Sequence, residues 1–222
     1  MIHFFTTMAY RTTARTQARL DATRERIVDA ARQQVGEAGY ASASVQAVAK
    51  RAGVATGSVY RHFPSKADLF SEVFRRASQR ELDVVTGVTE DETLSAPERV
   101  VHAAEAFARR ALAAPTLAYA LLAEPVDPAV EAERLSFRRG YRDAFATVLE
   151  QGIAAGEFRE LDSQVAAAAI VGALGEALLG PLSPASNGRA ARQHHDALVA
   201  NLVQFCLNAI EEKTHVGARS HS

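Results

Sequence analysis

The chain of 222 residues has one cysteine, Cys206, so an internal disulfide is excluded. Cysteine use this sparse fits a reducing compartment, and a cytoplasmic location is the expectation. No apolar run is long enough to cross a membrane. The best segment, residues 165–174, is short, alanine-heavy and followed by Glu176. The opening MIHFFTTMAY has neither the basic flank nor the apolar stretch of a signal peptide, and Met8 is an alternative start. No segment alternates β-branched and polar residues, so strands are not expected, and no internal repeat is present. Metal-ligand spacing, a glycine-rich phosphate loop and a nucleophile elbow are all missing, which argues against an enzyme and against a metal or other cofactor. His194 and His195 are adjacent and therefore diverge on a helix. Cys206 falls on an apolar helical face and reads as a small buried hydrophobe.

What the chain does have is an uneven charge distribution beneath a net charge of −1. Residues 1–80 hold 13 Lys and Arg against 6 Asp and Glu, a net +7, whereas residues 81–222 hold 12 against 20, a net −8. A basic head on an acidic body is the electrostatic footprint of a nucleic-acid reader, although a solvated basic face gives the same count.

The apolar periodicity is helical throughout and gives an all-α expectation of about nine helices, with an N-terminal three-helix head on a larger helical body. Residues 1–22 read as a flexible basic arm carrying Arg11, Arg15 and Arg19. Helix one is expected over residues 23–38, capped by Asp21 or Thr23 and ended by Gly39. The most informative stretch follows, SVQAVAKRAGVATGSVYRHFPSKADLF at residues 44–70. A short amphipathic helix starts at Ser44, Gly53 turns the chain, and a second short helix over residues 56–63 carries Ser58, Tyr60, Arg61 and His62 among few large apolar groups. This is the pattern of a helix-turn-helix whose second helix is aimed at a polar target. Val48, Ala49, Val54, Val59 and Phe63 supply the core of the head. A fourth helix opens at Ser65, with Asp68 at capping-box spacing, and runs past Val85. After an acidic linker closed by Ser95-Ala-Pro-Glu98, helical patterns occupy about 98–113, 115–123, 128–155, 162–180 and 189–212. Pro115, Pro125, Pro128, Pro181 and Pro184 fall at the breaks, and residues 213–222 read as a polar tail.

Several residues have a physical role in such a head. Gly57 removes a side chain where a helix must approach a DNA backbone closely. Ser44 presents a hydroxyl and free N–H groups to a phosphate, and serves equally as a plain helix cap. Lys66 sits in the first turn of helix four, where the dipole disfavours a cation, so a phosphate partner would account for it; a solvated lysine is the alternative. Arg61 suits a guanine in the major groove or, without sequence information, a phosphate. Thr56, Ser58, Val45 and Gln46 are further readout candidates, and His62 projects from the same helix.

ATRERIVDAARQQVGEAGYASASVQAVAKRAGVATGSVYRHFPSKADLF, residues 22–70, resembles the TetR family of transcriptional regulators, through the glycines at 53 and 57 and the Val-Tyr-x-x-Phe-x-Ser-Lys order that ends at Lys66. The resemblance implies that Tyr60 donates to a phosphate and that a helix-turn-helix DNA-binding domain occupies residues 23–68. It implies a ligand-binding and dimerisation domain over residues 69–212. One departure is Ala55, where many relatives have Ser or Thr just before helix three. The loss removes a cap and a phosphate contact that Thr56 would have to replace.

The resemblance further implies a homodimer on palindromic double-stranded operator DNA, released by a small, largely apolar effector, with no membrane partner. The pairing surface is expected on the last two helices, at Ala169, Gly172, Ala173, Leu198, Leu202 and Phe205. An effector cavity is expected among the middle helices, with His102, Phe107, Tyr119, Phe137, Arg138, Tyr141 and Phe145 as candidates. Phe137, Tyr141 and Phe145 share one helical face, a stripe that is core as readily as pocket. A helical dimer that senses a ligand or docks a partner without reading DNA is the rival reading, and salt-dependent DNA binding separates the two.

Overall fold

The computed structural model describes residues 14–186 and 194–211. Nine α-helices and one short 3-10 turn account for the described chain, with no strand among these residues. The helices are α1 (Ala14–Ala38), α2 (Val45–Ala52), α3 (Thr56–His62), α4 (Lys66–Thr89), α5 (Ala96–Ala113), α6 (Pro115–Leu122), α7 (Pro128–Ala154), α8 (Ser163–Leu182) and α9 (His195–Ile210). The all-α architecture expected from periodicity is therefore what the chain adopts.

Local chemistry explains most of the boundaries. The Ser44 hydroxyl caps α2 by accepting from the Ala47 N–H at 3.2 Å. Gly53 closes that helix at φ +66°, in the left-handed region that a side chain disfavours. Ser65 caps α4 by accepting from the Asp68 N–H at 3.1 Å. Ser95 and Glu98 form a reciprocal capping box at the start of α5, with proline in its first turn. Proline also opens α6 and α7.

Three boundaries depart from expectation. Helix α1 begins at Ala14, not near residue 23, so residues 14–22 of the expected arm are helical. Asp21 and Thr23 lie inside the helix rather than capping it: Gln17 donates to Asp21 at 2.9 Å, and the Thr23 hydroxyl donates to the Arg19 carbonyl. Good helix formers (Ala14, Gln17, Ala18, Leu20) outweigh the missing apolar stripe there. Pro181 lies within the last turn of α8 instead of at a break. Helix α9 starts at His195, and the expected tail and residues 1–13 of the expected arm, with Met8 and Arg11, lie outside the described residues.

The side chains fall into two apolar clusters. The first joins Ile27, Ala31 and Val35 of α1, Val48 and Ala49 of α2, Val59 of α3 and Leu69, Phe70, Val73 and Phe74 of α4. The body cluster gathers residues of α5, α7, α8 and α9 around Val100, Phe145, Leu149, Leu174 and Cys206. The division between the two clusters thus falls along α4. Ala120 and Val130 belong to the first cluster, with Leu117 and Leu121 packed against it, so α6 reaches across to the head.

Helix α8 is long and apolar enough to cross a membrane by length and composition alone, which the reading of residues 165–174 did not anticipate. One face of it is spent inside the protein: Ala167, Ile170, Leu174, Leu178 and Leu182 are buried.

Candidate nucleic-acid interface and effector cavity

In the head, α2 and α3 are held against α1 and α4 by apolar packing and by ion pairs at the edges. Arg51 makes a two-pronged bond to Glu37 of α1 at 2.5 and 2.6 Å. Arg76 of α4 bridges Glu25 of α1 and Glu72, and Arg24 reaches Glu72 at 3.1 Å while lying 4.9 Å from the Phe63 ring centre. Scaffolding of this kind leaves the outward face of α3 uncommitted. Tyr60 is 46% exposed, and Gln46, Ala55, Gly57 and Arg61 are exposed beside it. A Cβ on Gly57 would meet nothing within 4 Å, so its small size has no use in packing inside the chain. Ser44, Thr56, Ser58, His62 and Lys66 are half-buried around the same face.

Two of the readout expectations change, those for Val45 and for the cap of α3. Val45 is buried at 4% exposure in the head cluster and presents no surface to a base. Ala55 occupies the N-cap of α3 and provides no side-chain bond, and Thr56 is the first helical residue, so it does not take over the cap. Lys66 has partners within the protein: its Nζ lies 4.8 Å from the Tyr40 ring centre and 5.7 Å from that of Phe70, a cation–π arrangement that offsets its place at a helix N-terminus.

Sequence reasoning missed the junction that ties head to body. The backbone N–H groups of Tyr40 and Ala41 donate to the two oxygens of Glu124, at 2.7 and 2.9 Å. The Tyr40 hydroxyl donates to Asp127, and burial together with that carboxylate raises its pKa. Gly39 allows the approach with φ +78°; a Cβ there would stand 3.0 Å from Glu124 Oε1. Arg134 of α7 then fastens the end of α6, donating to the carbonyls of Ala120, Leu121 and Glu124 at 2.7–3.0 Å and to Glu131 at 2.5 Å. Burial lowers the Arg134 pKa, and the acceptors compensate its charge. No local pattern marks residues more than 80 positions apart as partners.

In the body a cavity of about 530 Å³ lies among α4, α5, α6, α7 and α8. Of the candidate effector residues, Phe107, Phe137, Arg138 and Tyr141 line it. Phe107 and Tyr141 meet edge to face with ring centres 5.3 Å apart. Burial, reinforced by Glu81, raises the Tyr141 pKa, so its hydroxyl stays protonated as a donor. His102, Tyr119 and Phe145 are not in the wall: His102 is exposed on α5, Tyr119 packs against the body cluster, and Phe145 is 1% exposed within it. Leu117, Leu121, Leu122, Leu135, Val171 and Leu179 supply apolar wall that periodicity alone did not single out.

The expected pairing residues also divide. Phe205 on α9 is 60% exposed and Ala169 on α8 is exposed. Ala173 and Leu198 are half-buried. Leu202 is 7% exposed and belongs to the body core, so it offers no surface to a second copy. Gly172 is exposed but also lines the cavity. Among the described residues no group of acidic, His or Cys side chains is placed to hold a metal.

A helix-turn-helix with an uncommitted second helix, mounted on a helical body that encloses a cavity, defines the class of helix-turn-helix regulators. The profile of bacterial regulatory proteins of the tetR family matches residues 27–73, and that of the tetracyclin repressor-like C-terminal domain matches residues 93–178. The chain belongs to the TetR family of transcriptional regulators. It is 40% identical over 60 residues to the HTH-type transcriptional regulator AcrR of Shigella flexneri, covering 27% of this chain and 28% of that one. It is 42% identical over 57 residues to the HTH-type transcriptional repressor KstR of Rhodococcus jostii (strain RHA1), covering 26% and 27%. The chain thus spans little more than a quarter of the length of these curated relatives. Over most of its length it is similar in structure to the fatty acid degradation regulator FadR from Bacillus halodurans, with a TM-score of 0.70, 26% identity and coverage of 83% of this chain and 94% of that one. FadR from Bacillus subtilis, solved in complex with stearoyl-CoA, superposes with a TM-score of 0.66 at 22% identity over 81% and 97% of the chains, a likeness of fold.

Proposed function

We propose that the chain is a ligand-responsive repressor: two copies bind a palindromic operator, and a small, largely apolar effector in the body cavity releases them. The observation that carries the reading is the outward face of α3. Tyr60 and Arg61 lie exposed there, on a packed head whose described residues make no hydrogen bond or ion pair with either. In this reading Tyr60, Lys66 and the N-terminus of α2 at Ser44 contact phosphates, with His62 and Ala55 beside them at the backbone. Arg61, Ser58, Thr56 and Gln46 face base edges, and Gly57 permits close approach. The DNA-binding head is residues 23–68, completed by the first turns of α4, and the remainder to residue 212 binds effector and pairs.

Two heads about one DNA turn apart, ~34 Å or a multiple, require a dimer. The exposed Val165, Ala169 and Phe205 on α8 and α9 are apolar surface with no use in one copy. The effector acts by population shift. It fills the cavity against Leu117 and Leu121, which also pack on the head, and α6 passes the displacement through Glu124 to the turn between α1 and α2.

The test is binding of the full chain to labelled DNA from upstream of its own gene, at two salt concentrations and with unrelated competitor DNA. Binding that survives competitor, and falls in Arg61→Ala and Tyr60→Phe, is expected. An Arg61→Ala loss of roughly 1–3 kcal/mol marks base readout. Absence of binding at low salt would refute the reading.

A further inference from the structure

The cavity wall is unevenly charged. Five arginines line it, Arg110, Arg134, Arg138, Arg139 and Arg142, against two carboxylates, Glu81 and Glu176. Two of the arginines are committed. Arg110 is bonded to Glu81 at 2.5 and 3.0 Å, and Arg134 is taken up by Glu131 and three carbonyls. The other three lie within five positions of α7 and have little to hold. Arg138 reaches only the Leu122 carbonyl, at 3.4 Å. Arg142 meets its own neighbour Asp143 at 3.2 Å, with both side chains largely in water. Arg139 makes no ion pair or hydrogen bond among the described residues. Glu176, exposed on α8, is the one lining carboxylate left to face them.

We infer that the effector site takes an amphiphile with an anionic head group, held by Arg138, Arg139 and Arg142 at the mouth, and an apolar tail that lies among Phe137, Leu122 and Val171. The inference rests on the effector reading above and narrows its chemistry. Three guanidinium groups on adjacent helical positions repel one another. A neutral occupant would leave that repulsion in place, and a cationic one would add to it. An anion relieves it while accepting several charge-assisted bonds, for which the planar guanidinium fork is suited. The tail half of the site follows from the wall: a cavity of about 530 Å³ falls in the range of roughly 300–1,000 Å³ that holds small ligands, and its interior is leucine, valine and aromatic carbon.

The chain has no tryptophan, so Phe137→Trp places a single fluorescent reporter in the wall. Titration of this full-length variant with decanoate, decanol and decyltrimethylammonium, which share a tail and differ in charge, reads the head-group preference directly. Decanoate is expected to bind most tightly, with an affinity that weakens as salt is raised. In the added triple variant R138Q/R139Q/R142Q decanoate affinity is expected to fall roughly ten- to a hundredfold, while decanol affinity stays the same. The ligand-free melting temperature of the triple variant should match its parent, because none of the three side chains carries a strong internal bond. Equal binding of decanoate and decanol, or unchanged decanoate binding in the triple variant, would overturn the anionic site and leave an apolar effector cavity standing. If none of the three alters the fluorescence, the anionic site and the effector reading of this cavity both fail.

Discussion

Replacing Glu124 by alanine isolates the junction between head and body. The carboxylate accepts two backbone N–H groups from the turn after α1, those of Tyr40 at 2.7 Å and Ala41 at 2.9 Å. Hydrogen bonds to a charged group contribute a net of about 1.5–3 kcal/mol. Ala41 is exposed, so water can replace one of the two bonds, while the Tyr40 N–H is partly buried and loses its partner outright. The expected loss is therefore about 2 kcal/mol, or a fall in melting temperature of roughly 4–8 °C for a chain of this length. Glu124→Gln, which keeps one carbonyl acceptor, should fall between the two. Amide hydrogen exchange gives the local readout: Tyr40 and Ala41 should exchange much faster in Glu124→Ala, while Phe70 and Phe74 amides, deep in the head, change only by the global loss. If effector response travels through this junction, the ratio of operator affinities with and without effector should also shrink toward unity. A melting temperature within a degree of the parent, with unaltered Tyr40 exchange, would refute the argument that this carboxylate fastens the head.

Other expectations follow from the packing and the charges. Gly152→Ala should destabilise by about 1–3 kcal/mol or more, because its Cβ would stand 2.3 Å from a Phe158 ring carbon and 2.8 Å from the Ala96 Cβ; urea unfolding checks this. Arg134→Met should cost at least 1–3 kcal/mol, roughly, by leaving the carbonyls at the end of α6 without a donor, also read by urea unfolding. The α1–α4 charge cluster should weaken in acid. The Arg76 hydrogen bond holds Glu25 below its ordinary 4.5. Burial pushes Glu72 upward, but bonds from Arg75 and Arg76 outweigh it and lower it as well. Folded values below the unfolded one mean that this stability is present above about pH 4.5 and is lost as the pH falls through the folded values. Melting temperature against pH, compared with Arg76→Met, tests the sign. Cys206 is 1% exposed and burial pushes its thiol up to about 11, so iodoacetamide at pH 8 should label it slowly in the folded chain and rapidly in urea.

The local part of this structure was legible in the sequence. Ser44, Gly53, Ser65 and the Ser95–Glu98 pair act within four residues of themselves, and each does in the fold what its spacing implied. The stripe Phe137, Tyr141 and Phe145 was equally readable as one face of one helix, but not how far each side chain stands from the cavity: Phe137 and Tyr141 reach its wall and Phe145 does not. That distinction depends on the crossing of α7 with α4, α5 and α8, which periodicity does not encode. Val45 and Leu202 failed for the same reason, since an apolar residue next to a functional one looks identical whether it turns toward solvent or core. The Glu124–Tyr40 junction was hidden because its two halves are 84 residues apart and neither has a local signature.

Leu117 and Leu121 are shared property: both residues bound the cavity and both pack against the apolar cluster beneath α2 and α3. The core of the head is therefore completed by the body. A fragment that stopped at residue 68 would lack Leu69, Phe70, Val73 and Phe74 as well as Ala120 and Val130, and would leave part of its centre open to water. For anyone exchanging operator specificity between relatives by grafting, the portable unit is not a contiguous stretch of sequence. It is α1 to the middle of α4 together with the body segment from Leu117 to Val130, and a transplanted head without that segment inherits the recipient's floor.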